Sequence, residues 1–157
     1  MESSPRSAAP QVTDRSGVYA LVLELQQELE VTIGRERGAL PPGIYVYIGS
    51  ARGPGGVRAR VLRHLRREKK VKWHIDQLTA AARALGIVFA ETRERECVLT
   101  PHLENLGFAH PLPGFGSSDC TSGCRSHLLW KPVGEDVLAR VEEAFRRAGL
   151  NPVTILL

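Results

Sequence analysis

The run Gly43-Ile44-Tyr45-Val46-Tyr47-Ile48-Gly49-Ser50-Ala51 constrains the fold of this chain more than any other stretch. Its β-branched and aromatic residues suit a pleated surface, and the following Arg52-Gly53-Pro54-Gly55-Gly56 cannot continue a strand. From Val57 the pattern turns helical: Val57, Val61, Leu62 and Leu65 make an apolar stripe, with Arg60 and His64 four apart on an adjacent face. A strand that presents tyrosines therefore passes, through a glycine-rich turn, straight into a cationic helix.

That helix opens a basic segment. Between Gly55 and Lys72 lie Arg58, Arg60, Arg63, Arg66, Arg67, Lys69, Lys70 and Lys72 against the single acid Glu68, so a local charge of +7 stands in a chain of net charge +4. A solvated helix face usually intersperses acids for pairing four residues apart, and this one does not. The concentration is the electrostatic footprint of a phosphate-backbone binder, and nucleic acid is the expected partner.

At 157 residues, with 43% hydrophobic and 24% charged residues, the composition is that of one soluble globular domain. Residues 1–15 are small, polar and proline-containing, and read as a disordered lead-in to a single domain over 16–157. No apolar run is long enough to span a bilayer and the N-terminus has no apolar signal core, so a cytoplasmic protein without membrane attachment is expected. Cys97, Cys120 and Cys124 are odd in number, which argues against a disulfide framework.

Gly17 to Leu25 reads as a buried first strand and Glu30 to Arg35 as a short second one, with a Pro41-Pro42 turn leading into the Gly43 run. After the basic helix, Trp73 to Leu85 reads as a helix ended by Gly86, and Ile87 to Glu91 as a strand. Arg93 to Leu106 is helical in pattern but interrupted by Pro101, giving either a kink or a fresh start with Thr100 as cap. A long loop over Phe108 to Ser126, a strand over Arg125 to Lys131 and an amphipathic helix over Glu135 to Ala148 complete the reading.

Gly17-Val18-Tyr19, Tyr47-Ile48-Gly49, the helix string Arg60-Val61-Leu62-Arg63-His64 and a later glutamate together resemble the GIY-YIG nuclease superfamily. The strings YVYIGSA, RHLRR, KWHIDQL, Glu96-Cys97 and GFGSSDC followed by SHLLW resemble its DUF123-like branch, which occurs alone or fused to a base-excision glycosylase. The resemblance covers about Ser16 to Lys131. It implies an α+β fold: a small central antiparallel sheet of three main strands with extra edge strands, flanked by helices. It further implies phosphodiester hydrolysis with one Mg²⁺ or Mn²⁺, on DNA in a repair setting with RNA also admitted, or a non-catalytic nucleic-acid-binding module serving a DNA-repair partner. Tyr19 would act as base or orient the attacking water, Tyr47 would be its second-motif counterpart, Arg60 would neutralise the scissile phosphate, and His64 would sit one helical turn on.

The chemistry agrees with these residue types, because attack on a phosphodiester builds charge that a guanidinium and a hard cation can stabilise. A tyrosine with an ordinary pKa near ~10 is a poor base at neutral pH, so Tyr19 is expected to have its pKa lowered by the arginines of the helix. Tyr45 offers a rival first motif, but it shares a strand face with Tyr47 and so cannot lie on a paired strand. Glu96 is the chosen metal carboxylate, with Glu91, Glu94 and Glu104 as alternatives. Arg58, Arg63, Arg66, Arg67, Lys69, Lys70, Lys72 and His74 are the candidate nucleic-acid contacts, although His74 equally suits a structural role beside Trp73 and Asp76. Cys97, Cys120, Cys124 and His127 could form a Cys3His zinc site, but without paired knuckle spacing the preferred reading is packed thiols.

Overall fold

The computed structural model describes residues 11–66, 70–71, 73–116, 120, 123–132 and 136–157. A five-stranded antiparallel sheet forms the centre, in which β1 (Gly17–Leu25) pairs along its whole length with β4 (Gly43–Ala51). The short strands β2 (Leu29–Ile33) and β3 (Glu36–Leu40) form a separate two-stranded sheet inserted between them, turning at Gly34 with φ of 60°. Gly38, Ala39 and Leu40, which the sequence assigns to a turn over Gly38 to Gly43, thus belong to a strand. The opening half is a long hairpin with a short hairpin inserted into it.

β5 (Arg83–Glu91) pairs with the other edge of β1, and β6 (Leu128–Lys131) and β7 (Val153–Leu156) occupy the rims, giving the order β6-β4-β1-β5-β7. The three long strands at the centre and two short ones at the edges match the expected architecture. β7 had no sequence signal. The helix expected over Trp73 to Leu85 is only α2 (His74–Thr79), and Arg83, Ala84 and Leu85 are strand residues. Here pairing of Arg83 with Glu24 and of Ala84 with Leu23 prevails over the helix propensity of an alanine-rich run, with an irregularity in register at Val22/Leu23.

The alternation of β1 and β4 sorts side chains to two cores. Tyr19, Leu21, Leu23, Tyr45 and Tyr47 face α1 (Gly56–Leu65) and α2, whereas Val18, Ala20, Val22, Val46 and Ile48 face α3 (Thr100–Asn105) and α4 (Val137–Arg147). Pro101 begins a new helix as one alternative foresaw, one residue out of register, with Leu99 at the cap position and a 3₁₀ turn at Glu96–Val98 before it. Among the described residues no helix is long and apolar enough to cross a membrane.

The basic helix is shorter than its pattern. α1 ends at Leu65 and Arg66 is extended, while residues 67–69 and 72 lie outside those described. At its other end the chain before β1 is anchored, contrary to the expectation of disorder through residue 15: the N–H groups of Val57 and Arg58 donate to Arg15 and Thr13 carbonyls at 3.1 and 2.8 Å. Such contacts satisfy donors that a helix N-terminus leaves open. Gly56 makes them feasible, since a Cβ there would sit 2.2 Å from the Arg15 carbonyl oxygen.

Candidate functional site

Pairing sets the geometry. Tyr19 lies opposite Gly49, and the Tyr19 ring covers that glycine so closely that a Cβ at position 49 would stand 2.4 Å from the phenol oxygen. The glycine after Tyr47-Ile48 is thus required by a side chain from the neighbouring strand. The Tyr19 hydroxyl reaches His64 Nε2 at 2.7 Å, and the His64 ring stands 5.5 Å from the Tyr19 ring and 5.6 Å, edge on, from that of Tyr47. His64 is 1% exposed, so it belongs to the buried face of α1.

The helix and the segment after it close this cluster. Trp73 packs 5.7 Å from His64, and the guanidinium groups of Arg60 and Arg63 lie 4.9 and 3.9 Å from the Trp73 ring centre, within cation–π range. Arg63 binds both oxygens of buried Asp76 at 2.8 Å, and Asp76 also accepts from the Trp73 N–H at 2.9 Å. Arg58 donates to the Val12 carbonyl at 2.9 Å. Of the candidate nucleic-acid contacts, Arg58 and Arg63 therefore hold the fold, whereas Arg66 and Lys70 are exposed. Arg67, Lys69 and Lys72 lie outside the described residues. His74 takes its structural alternative, accepting at Nδ1 from the Gly116 N–H at 2.9 Å; Gly116 packs against Tyr47 with no room for a Cβ, which would be 2.9 Å from that ring.

Glu96 comes to the same end of β4. Its carboxylate accepts from the Ser50 hydroxyl, and its own N–H donates back to Ser50 Oγ at 2.9 Å. The other carboxylate oxygen lies 3.5 Å from His127 Nδ1. The alternatives are placed elsewhere: Glu91 accepts from the Thr13 hydroxyl at the sheet rim, Glu94 is exposed, and Glu104 pairs with His110 at 2.9 Å. Ser50, the penultimate residue of a recognised strand, carried no signal of its role in the sequence.

The electrostatics correct one expectation. The Tyr19 phenol is raised well above its ordinary value, chiefly by burial and then by Tyr47, and Arg60 offsets only part of this. Tyr47 is pushed up to about 12 by burial and then by the Glu96 carboxylate, against a smaller opposing effect of Arg60. Withdrawal from water outweighs the arginines. Both phenols respond to Arg60 and Glu96, so one field links all four groups. Tyr45, the rival, sits opposite Leu23, is fully buried and donates its hydroxyl to the Pro41 carbonyl. It is a structural tyrosine.

On the far side of Glu96 a second cluster gathers. Cys97 Sγ lies 2.8 Å from Cys124 Sγ, 3.4 Å from Cys120 Sγ and 3.5 Å from His127 Nε2. Burial and hydrogen bonding from Cys124 and Cys120 push the Cys97 thiol up. The thiols do pack together, but as part of a four-residue group that includes His127.

The fold and this end of the sheet define an α+β domain in which Tyr19 and Tyr47 meet His64, Arg60 lies over the Trp73 ring beside it, and Glu96 is held by Ser50. The chain belongs to the family described as Domain of unknown function DUF123, which matches residues 18–150. No curated protein and no solved structure matches it.

Proposed function

We propose that this protein is a phosphodiester hydrolase of GIY-YIG type that uses one Mg²⁺ or Mn²⁺ ion and acts on DNA, in a repair setting. The observation that carries the reading is the meeting of Tyr19 and Tyr47 at His64, with the Tyr19 hydroxyl 2.7 Å from His64 Nε2 and the two phenol rings 5.5 and 5.6 Å from the imidazole. Glu96 suits a hard cation of the kind that takes one protein carboxylate and fills its other positions with water and phosphate oxygens. Bound there, such an ion would neutralise charge on the phosphate.

The chain's own groups do the rest. Tyr19 holds the attacking water; as the water oxygen bonds to phosphorus, its proton passes to the Tyr19 oxygen while the Tyr19 proton passes to His64 Nε2. The relay needs the His64 tautomer with its proton on Nδ1, and it removes the need for a free phenolate from a buried tyrosine. Arg60 stabilises the charge that develops on the non-bridging oxygens. The P–O bond opposite the attacking oxygen breaks, and the leaving oxygen takes a proton from solvent.

A second reading, a nucleic-acid-binding module without chemistry, is favoured by the tight burial of Tyr19 at 2% exposure and by the engagement of Glu96 with Ser50 and His127. Cleavage of duplex, nicked and branched DNA with Mg²⁺ or Mn²⁺ separates the two. On the hydrolase reading Arg60→Ala lowers kcat/KM by about 100-fold or more, and Tyr19→Phe and Glu96→Gln are similarly impaired. Salt-sensitive binding with no cleavage of any substrate selects the module, and cleavage indifferent to all three changes refutes this site.

A further inference from the structure

We infer that Cys97, Cys120, Cys124 and His127 bind one structural Zn²⁺ ion. Their candidate ligand atoms all lie within 4.8 Å of one another. Ligands about 2.0–2.3 Å from a common tetrahedral centre stand roughly 3.5–3.8 Å apart, close to the contacts of 3.4 and 3.5 Å that Cys97 makes with Cys120 and His127, and the 2.8 Å between Cys97 and Cys124 would open by about 1 Å on binding. Three sulfurs and one imidazole select a soft or borderline ion, and four protein ligands leave no open position, which is the pattern of a structural site. Binding would release three thiol protons and form three metal–thiolate bonds.

The arrangement of His127 supports this independently of the sulfurs. Its Nε2 faces Cys97, whereas Nδ1 faces the Glu96 carboxylate at 3.5 Å. Metal-bound histidines characteristically give their other ring N–H to a carboxylate, which fixes the tautomer. The ligands also come from parts of the chain that need joining: Cys97 from the 3₁₀ turn beside β4, Cys120 and Cys124 from the loop before β6, and His127 from the residue preceding that strand. The zinc would tie this loop to the turn bearing Glu96. The site resting on the hydrolase reading would thereby gain a fixed carboxylate, although zinc binding itself does not depend on that reading.

The test is metal content of the full chain, expressed with added zinc and purified without chelator. One zinc per chain is expected, with thiols protected from a disulfide reagent until a strong chelator is added, and with Cys97→Ala and Cys124→Ser losing the metal. Because these variants can fail to fold, Co²⁺ substitution of the unaltered chain gives a second measurement, expected to yield the intense visible bands and thiolate charge-transfer absorption of a tetrahedral centre. Arg60→Ala should retain full zinc content even where it abolishes cleavage, so failure of the hydrolase reading leaves a different signature. A chain that takes up no zinc and shows three reactive thiols overturns the proposal, as does a Cys97–Cys124 disulfide detected by mass.

Discussion

Tyr45 and Tyr47 stand two residues apart on the same face of one strand, yet they have different fates. Opposite Tyr45 is Leu23, and its hydroxyl ends on the backbone of Pro41. Opposite Tyr47 is Leu21, beside Tyr19 and Gly49, and its ring meets His64 across the space between sheet and helix. The two side chains are chemically identical. What differs is the position along the same partner strand and the element above, so a tyrosine joins the cluster around His64 through its neighbours rather than through its own motif.

The comparison is most severely tested at Gly49. Gly49→Ala should destabilise the fold by about 1–3 kcal/mol in denaturant titration and should displace the Tyr19 hydroxyl from His64, abolishing any cleavage. Gly53→Ala, where nothing lies within 4 Å of the added carbon, should be close to neutral. Equal effects at the two glycines would remove the argument that the Tyr19 ring dictates position 49.

Alkaline titration gives the next effect. Tyr47 prefers its neutral form in the folded chain, with its pKa raised from the ordinary 10.0 to about 12. The folded state then holds more protons than the unfolded state over that interval, so stability is fully present below pH ~10 and falls toward pH ~12. Tyr47→Phe should flatten this part of the curve of stability against pH. The smallest effect belongs to Tyr45→Phe, which should cost about 1 kcal/mol for one hydrogen bond and leave cleavage and zinc content unchanged.

Much of the scaffold was legible. Strands β1 and β4 follow from β-branched and aromatic runs bounded by glycine, and the Gly55-Gly56 turn into α1 follows from residues that cannot extend a strand. The failures have common causes: Arg83 and Ala84 carry helix propensity but are claimed by β1, and the short edge strand β7 has too few residues for a readable pattern. The lead-in was misread because what orders residues 12–15 is not their composition but the open N–H groups of a helix far along the chain.

Sequence by itself determined the set of chemical groups in play: Tyr19, Tyr47, Arg60, His64 and Glu96, with the cysteines and His127 beside them. Tertiary structure decided which of them share a space and in what state. Arg63, three residues from Arg60 on the same basic helix, is captured by Asp76, and the Tyr19 phenol is raised where nearby arginines led one to expect the reverse. Desolvation depends on how completely surrounding elements exclude water, and the gathering of Cys97 with Cys120, Cys124 and His127 joins residues 23 to 30 positions apart in the chain. Neither quantity is local, so neither is written in the spacing of residues along the chain.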